Sequence, residues 1–236
     1  MWKTFRLLIF IFYINILNVK GDECGISVVL TRHVGNEGFH RELHSSVEIT
    51  TNQSFFSDCV IVQRELMPSG LYVNPDELAD LQRTGQVSGC VSSEVDTEAA
   101  KETAQSHEVF IYYTLKQLGS KLTGNFVLPF HLRYHKPLPM GGEEEVVLEA
   151  PAILLKCNPI PSCLKSKQNM LAPCIPCSPE KCKWTNISYN TEITSIILKV
   201  PVGSLHQYST VLVCTMITTA AGSLYIINLL LKYHWS

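Results

Sequence analysis

The feature that most constrains this chain is an uncharged run of 22 residues close to its C-terminus, Thr210–Leu231. At about 1.5 Å per residue, such a run forms a helix about 33 Å long, which matches the roughly 30 Å hydrocarbon core of a bilayer. A buried core helix is rarely both this long and this free of charge. Lys232 and the aromatic residues Tyr225, Tyr233 and Trp235 are placed as residues at the far interface usually are. We therefore predict a transmembrane helix over residues 210–231.

The N-terminus contains a second apolar segment, and we expect this segment to be removed in the mature protein. Two basic residues precede the apolar run Leu7–Leu17, and Gly21 offers a small residue to a signal peptidase. This order is typical of a secretory signal peptide over residues 1–21, with a signal anchor as the alternative. Together with the C-terminal helix it predicts a type I membrane protein, in which residues 22–209 are lumenal and residues 232–236 are cytosolic.

The cysteine content fits the lumen of the secretory pathway. Eight of the nine cysteines fall in the predicted lumenal part, and an even number in an oxidising compartment is typical of disulfides. Eight cysteines allow on the order of a hundred pairings, so the connectivity stays open. Zinc is the competing interpretation for the Cys-x2-Cys spacing of Cys174 and Cys177. The disulfide candidates are Cys24, Cys59, Cys90, Cys157, Cys163, Cys174, Cys177 and Cys182.

Two sequons and the charge balance bear on the surface of the protein and on its partners. Asn52-Gln-Ser and Asn186-Ile-Ser are acceptor triplets for N-glycosylation, so we expect Asn52 and Asn186 on the surface.

The chain has 19 Lys and Arg against 21 Asp and Glu, a formal net charge of −2. Because the basic residues are neither in excess nor clustered, this balance argues against nucleic acid as a partner.

The lumenal part has the pattern of an antiparallel β protein. Segments rich in Val, Ile, Tyr and Phe alternate with Gly, Pro or charged turns. One helix is predicted where Asn74 can cap, Pro75 suits the first helical position and Glu77 completes a capping box. The fold class is therefore mainly β: a lumenal antiparallel β-sandwich-like domain with one short helix, plus a C-terminal transmembrane helix. The predicted strands are 25–31, 46–51, 59–63, 109–115, 126–134, 146–148, 152–156 and 193–200.

The stretch FHLRYHKP, residues 130–137, bears on whether the chain is an enzyme. On a helix His131 and His135 would lie one turn apart and could share a metal ion, but the flanking prolines favour a strand. Four strand residues span about 13 Å, too far for two ligands that must each lie about 2 Å from one zinc ion. Alternation predicts a cationic outer face, either solvated or docking an acidic partner or a lipid head group. The inward set is Phe130, Leu132 and Tyr134, and the outward set is His131, Arg133 and His135.

No catalytic motif accompanies this strand. The sequence contains neither a Gly-x-Ser-x-Gly nucleophile elbow nor an Asp-x-Asp loop. Spacing alone leaves a pair of glycosidase carboxylates open. We therefore expect no catalytic residue, no metal site and no cofactor.

The predicted span carries a candidate contact face of its own. Thr218 and Gly222 form a small-xxx-small pair, and Thr219 and Ser223 repeat it one step around the helix. Such a face lets a second helix approach closely. Asn228 is a polar residue inside the span and is expected to face protein rather than lipid.

Five sequence blocks, taken in order, resemble the PIG-X family. They are GFHREL (38–43), PSGLYVNPDELADL (68–81), FHLRYHKP (130–137), Cys182-Lys-Trp184 and VPVG (200–203), followed by one C-terminal span. The resemblance covers nearly the whole mature chain. It implies a non-catalytic subunit of the endoplasmic reticulum mannosyltransferase that adds the first mannose to GPI precursors. Such a subunit stabilises the multispan catalytic subunit, PIG-M, which uses dolichol-phosphate mannose, and it has no active site of its own.

The resemblance also implies a location, the endoplasmic reticulum membrane, and two partners, PIG-M and membrane lipid. Stabilisation would act by mass action, since binding the folded catalytic subunit disfavours its unfolded state. The candidate contact residues are Tyr72, Asn74, His131, Arg133, His135, Thr218, Gly222 and Asn228.

Two other functions stay open. A single-span adhesion or receptor protein with a β-sandwich ectodomain fits the same organisation, and glycan type discriminates it from a reticulum subunit. A lumenal hydrolase is disfavoured by the missing motif.

Overall fold

The computed structural model of the chain describes residues 25–51, 59–119, 121–158 and 168–234. The predicted signal peptide, Cys24, Asn52, Cys163 and the last two residues lie outside the described residues. Within the described ranges the chain forms two larger sheets, one two-stranded sheet, one short helix and one long C-terminal helix. The prediction of a mainly β chain with a short helix and a C-terminal apolar helix is confirmed.

The first sheet contains β1 (Ile26–Gly35), β2 (His40–Thr51), β4 (Leu71–Tyr72), β7 (Lys116–Leu118) and β8 (Lys121–Leu132). Their order is β1-β2-β8-β4, and β7 also pairs with β8. All these pairs are antiparallel. This order places the end of β8 between the start of β2 and the short β4.

The second sheet has six strands, and every pair in it is antiparallel. Its members are β3 (Cys59–Met67), β5 (Ser88–Val91), β6 (His107–Tyr112), β10 (Ala152–Cys157), β11 (Asn169–Pro173) and β12 (Lys181–Ile187). The spatial order is β11-β12-β10-β3-β6-β5.

Three further elements complete this part of the chain. β9 (Gly142–Leu148) pairs with β13 (Ile196–Val202), and α1 (Pro75–Arg83) follows β4. The Asn74 side chain accepts a hydrogen bond from the Asp76 amide at 3.0 Å, which confirms the predicted cap of α1. The described residues up to Gln207 are called the β domain from here on.

The two larger sheets enclose one apolar core. β1 illustrates how a strand contributes to this core. Its residues alternate between buried and exposed from Ile26 onward, which is the pattern of a strand with one covered face. Buried side chains from both sheets form one continuous cluster. It includes Val28, Leu30, Leu43, Val47 and Ile49 from the first sheet and Ile61, Val109, Ile111, Ile153 and Leu155 from the second. The arrangement is that of a β-sandwich.

A second, smaller core covers part of the second sheet on its other side. Trp184 is its largest member and is fully buried, with Nε1 donating to the Ala172 carbonyl at 3.3 Å. The Tyr112 hydroxyl donates to the Pro173 carbonyl at 2.9 Å and so ties β6 to the end of β11. The remaining members of this cluster are Val62, Phe110 and Leu154.

Three disulfides hold the β domain, and they join six of the eight predicted cysteines. Cys59–Cys157 links paired positions of β3 and β10. Cys90–Cys177 ties the edge strand β5 to the turn between β11 and β12, and Cys174–Cys182 closes that hairpin. Cys174 and Cys177 belong to different disulfides, so the alternative of a zinc site at these two residues is wrong.

The C-terminal helix α2 spans Tyr208–His234, slightly longer than the predicted 210–231. A stretch of 29 residues, Leu205–Tyr233, is long and apolar enough to cross a membrane, and none of its most apolar window is buried in the protein. A 3-10 turn, Leu205–Gln207, leads into α2. The turn is fixed to the segment after β8, because the Leu138 amide donates to Gly203 and the Leu205 amide donates to Leu138, both at 2.9 Å.

Several predicted strands differ from the structure. β8 ends at Leu132 instead of residue 134, because the Arg133 amide leaves the sheet and donates to the Gly70 carbonyl at 2.9 Å. β13 begins at Ile196 instead of residue 193. β4, β5, β7, β11 and β12 were not predicted, since they are short or rich in Lys, Cys and Pro, residues that weaken the strand pattern.

Candidate functional site

Three distant sequence blocks meet at one end of the first sheet. His131, near the end of β8, is the register partner of His40 in β2 and of Tyr72 in β4. Register partners in antiparallel strands point to the same face, so these three side chains lie together. α1 starts two residues after Val73 and brings Glu77 to the same place. We name the set His40, Tyr72, Glu77, His131 and Arg133 the histidine patch.

The carboxylate of Glu77 lies between the two imidazoles of the patch. Its Oε2 is 3.2 Å from His131 Nε2, and its Oε1 is 3.9 Å from His40 Nε2. The His40 ring meets the His131 ring edge-on, with 4.6 Å between centroids and 78° between planes. Glu77 and His131 are half-buried, whereas His40 is exposed. The arrangement is a small polar cluster at the surface that can hold a cation or exchange protons.

Tyr72 fixes the orientation of His131. Their rings stack with 4.9 Å between centroids and only 16° between planes. The Arg133 guanidinium lies 4.5 Å from the centroid of the Tyr72 ring. Such a cation–π contact adds to the packing of the ring and limits its motion.

Arg133 itself is not part of a solvated cationic face, so that prediction is wrong for this residue. Only 3% of Arg133 is exposed. Its Nη1 donates to the carbonyls of Asp96 at 2.6 Å and Ala99 at 2.7 Å, which anchors the segment between β5 and β6. The alternation on which the prediction rested stops at Leu132, where the chain leaves the sheet.

Tyr134 and His135 also depart from the predicted alternation. Tyr134 was expected to point inward, but it is 74% exposed and its ring lies against Phe39, with centroids 4.8 Å apart. His135 is half-buried, and neither of its ring nitrogens has a hydrogen-bond partner in the part of the chain that the structure describes. Burial, followed by the positive charge of Lys101, lowers the pKa of His135 and favours the neutral ring.

His107, which sequence reasoning missed, lies beneath the patch. The residue is buried, and its Nε2 accepts a hydrogen bond from the Val73 amide at 3.3 Å. Burial, with Arg133 as the second cause, lowers the pKa of His107 to about 4. His107 and Arg133 also line a pocket of about 290 Å³ together with Asp96 and Thr103. The wall of this pocket therefore contains a buried neutral imidazole and a buried guanidinium.

The other candidate contact residues are accounted for locally. Asn74 caps α1 and so positions Glu77 three residues later. In α2, Thr218, Gly222 and Asn228 are exposed, and a Cβ built on Gly222 would meet no atom within 4 Å. The Thr218 hydroxyl donates back to the Cys214 carbonyl at 2.9 Å, so it is satisfied within the helix. No atom of the described residues covers the Gly222 position of this helix face.

Comparison with known proteins identifies the family. The sequence model described as PIG-X / PBN1 matches residues 36–231. This chain belongs to the PIG-X / PBN1 family. All five blocks that carried the resemblance fall inside the matched range, so the resemblance is confirmed. No solved structure matches the chain.

Two curated relatives of the family illustrate the similarity. A human protein is 32% identical over 216 residues, which covers 89% of this chain and 82% of the relative. A rat protein is 28% identical over 213 residues, with 89% and 84% covered. Both are named "GPI alpha-1,4-mannosyltransferase I, stabilizing subunit".

Proposed function

We propose that this chain is the non-catalytic stabilising subunit of GPI mannosyltransferase I in the endoplasmic reticulum membrane. Its partner is the multispan catalytic subunit, PIG-M, and the supported reaction is transfer of the first mannose to a GPI precursor. One observation carries the proposal: the chain belongs to a family whose relatives bear this name, and it matches them over most of its length.

The organisation of the chain supports a type I topology. Three disulfides in the β domain are typical of an oxidising compartment, so the β domain is assigned to the lumen and α2 to the membrane. The sequon residue Asn186 lies on β12 and is partly exposed, which suits a lumenal acceptor. The hydrogen bonds of Leu138 and Leu205 fix the junction between the β domain and α2, which supports a β domain that lies close to the lipid surface.

Two surfaces are assigned to the catalytic subunit. The first is the histidine patch, because the family blocks converge there and because His40 and Tyr72 leave polar and aromatic surface for a partner. The second is the Thr218–Gly222 face of α2, where small residues allow close approach of another membrane helix. A subunit that binds the folded partner in two places raises the population of the folded form by mass action.

The test uses cells that lack this chain and carry tagged PIG-M. Full-length chain is returned, and the amount of PIG-M and the first mannosylation of the GPI precursor are both measured. We expect the chain to restore both, and Gly222→Leu or a His40→Ala/Tyr72→Ala variant to restore neither. His33→Ala/His44→Ala is the matched control, since those stacked histidines lie in the first sheet outside the patch.

Equal amounts and activity of PIG-M with and without the chain would overturn the proposal. Restoration by a soluble β domain that never reaches the membrane would overturn the contact assigned to α2. Glycan type adds an independent check: high-mannose chains at Asn186 fit residence in the reticulum, whereas complex chains would favour the adhesion alternative.

A further inference from the structure

We propose that His40, Glu77 and His131 form a binding site for one divalent transition-metal ion of the zinc type. In the part of the chain that the structure describes, this trio alone places three ligand atoms from His, Cys, Asp or Glu within 4.8 Å of one another. No metal site was expected from the sequence, where the two pairs considered were His131 with His135 and Cys174 with Cys177. The site goes beyond the proposed function and needs no partner protein.

The distances fit a tetrahedral ion. Zinc binds imidazole nitrogen and carboxylate oxygen at about 2.0–2.2 Å, so neighbouring ligand atoms around it lie roughly 3.3–3.5 Å apart. The observed separations between Glu77 oxygens and the Nε2 atoms of His131 and His40 are 3.2 and 3.9 Å. One ligand atom from each of the three residues lies within 4.8 Å of the others, so small side-chain rotations bring three ligands to one ion.

The chemistry of the donors selects the ion. Two imidazoles with one carboxylate suit zinc and similar transition ions, whereas Mg²⁺ and Ca²⁺ prefer oxygen ligands. Three protein ligands leave one of four positions open. The exposure of His40 puts that position at the protein surface, where water or a group from another molecule can occupy it.

Each ligand is held by a different element, and each is oriented before any ion binds. The β2–β8 register sets His40 opposite His131. The Tyr72 ring stacks on His131, and the Asn74 cap fixes the first turn of α1, which carries Glu77. A bound ion would connect α1 to two strands of the first sheet, so binding stabilises the β domain.

A second histidine pair in the same sheet shows that proximity alone does not build such a site. His33 and His44 stack with 4.6 Å between centroids, and His44 Nε2 lies 3.3 Å from Glu42 Oε2. This trio nevertheless does not bring three ligand atoms within the 4.8 Å that the first trio meets. It therefore serves as an internal control with the same residue types.

The test is a zinc titration of the purified full-length chain in detergent micelles, without a histidine tag, against a chromophoric chelator. We expect one ion per chain and a rise in the melting temperature with zinc. His40→Ala, Glu77→Gln and His131→Ala should each weaken binding at least about tenfold, the lower end of what perturbing a metal site costs. His33→Ala/His44→Ala should bind as the unchanged chain does.

Two further readouts keep the test decisive. X-ray absorption should report two imidazole ligands on the bound zinc. Because His40 is exposed, His40→Ala should fold normally by circular dichroism even if His131→Ala does not. Absence of competition with the chelator, or binding lost with His33→Ala/His44→Ala but kept with His40→Ala, would overturn the proposal. Either result leaves the stabilising role untouched, since that is measured separately through PIG-M.

Discussion

Arg32 and Glu65 face each other across the core of the β domain, with 3.0 Å between Arg32 Nη2 and Glu65 Oε2. Neither side chain is exposed to solvent. Arg32 Nη1 donates to the Glu149 carbonyl at 3.1 Å, and Gln63 Nε2 donates to the second carboxylate oxygen at 2.5 Å. Because Arg32 lies in β1 and Glu65 in β3, the ion pair joins the two sheets through the interior.

The network extends to the far side of the core through two hydroxyls. Ser45 Oγ donates to Gln63 Oε1 at 3.0 Å, and the Tyr113 hydroxyl donates to the same oxygen at 2.5 Å. Burial raises the pKa of Glu65, while Arg32 and Gln63 oppose this shift. The charged pair is therefore held by specific geometry, and removing one member leaves the other without compensation.

Glu65→Leu is predicted to destabilise the β domain by about 3–5 kcal/mol, the usual cost of leaving one buried charge unpaired. Arg32→Met/Glu65→Leu should cost less than the single change, because both charges are then gone. Chemical unfolding in micelles, followed by tryptophan fluorescence, measures both. The exposed pair Arg83–Asp80 provides the control, and Arg83→Ala should change stability by less than about 0.5–1 kcal/mol. A double variant less stable than Glu65→Leu would contradict this account.

We predict that the β domain becomes less stable in acid, because the buried ring of His107 is neutral in the folded state. Its folded pKa of about 4 lies below the ordinary value of 6.5, so the folded state favours the neutral ring. The stabilising contribution is fully present above pH 6.5 and is lost as the pH falls from there to about 4. Such a shift corresponds to at most about 3 kcal/mol of stability.

The measurement is the unfolding free energy between pH 7 and pH 4.5 in the unchanged chain and in His107→Gln. The variant should lose the part of the pH dependence that lies between about pH 6.5 and 4. A variant at the exposed His206 should keep it. An identical pH profile for all three chains would show that His107 does not titrate as the structure indicates.

Arg133→Lys should loosen the segment between β5 and β6 without unfolding the sheets. Lysine keeps the charge but cannot reproduce the planar contacts to the Asp96 and Ala99 carbonyls while lying against Tyr72. Hydrogen exchange of residues 96–104 should quicken several-fold, whereas the amides of β3 and β10 should not change. Arg41→Lys is the control, because Arg41 is only partly buried and also donates to carbonyls, those of Gly38 and Lys199.

How far the sequence predicts this protein depends on whether a feature is local. The Asn74 cap, the start of α1 and the apolar C-terminal helix follow from neighbouring residues, and all three are confirmed. The alternation of FHLRYHKP was correct for Phe130 and Leu132, which are buried. It was wrong for Arg133 and Tyr134, because a hydrogen bond to Gly70 takes the chain out of the sheet.

The contacts within the histidine patch could not be predicted from neighbouring residues in the sequence. Glu77 was predicted to complete a capping box, whereas its carboxylate faces His131, 54 residues further along the chain. Only the strand order β2-β8-β4 brings His40, Tyr72 and His131 together. The same holds for Cys90 and Cys177, whose pairing requires the β11–β12 turn to reach the opposite edge strand of its own sheet.

We predict that a disulfide contributes more to the free energy of unfolding when the loop that it closes is longer. In the chain-entropy description, the separation of 98 residues between Cys59 and Cys157 corresponds to about 4–5 kcal/mol. The separation of 8 residues between Cys174 and Cys182 corresponds to about 2–3 kcal/mol. Cys59→Ala/Cys157→Ala should therefore lower the unfolding free energy by about 2 kcal/mol more than Cys174→Ala/Cys182→Ala.

Unfolding each variant with and without reductant separates the crosslink from local packing. Cys182 needs this control, since Lys156 Nζ lies 2.9 Å from its sulfur and the residue packs against the Trp184 core. The effect of packing persists in reductant, whereas the effect of the crosslink does not. One outcome would contradict the role of loop length. It is an equal loss of stability for Cys174→Ala/Cys182→Ala and Cys59→Ala/Cys157→Ala in oxidising buffer, with equal stability of the two variants in reductant.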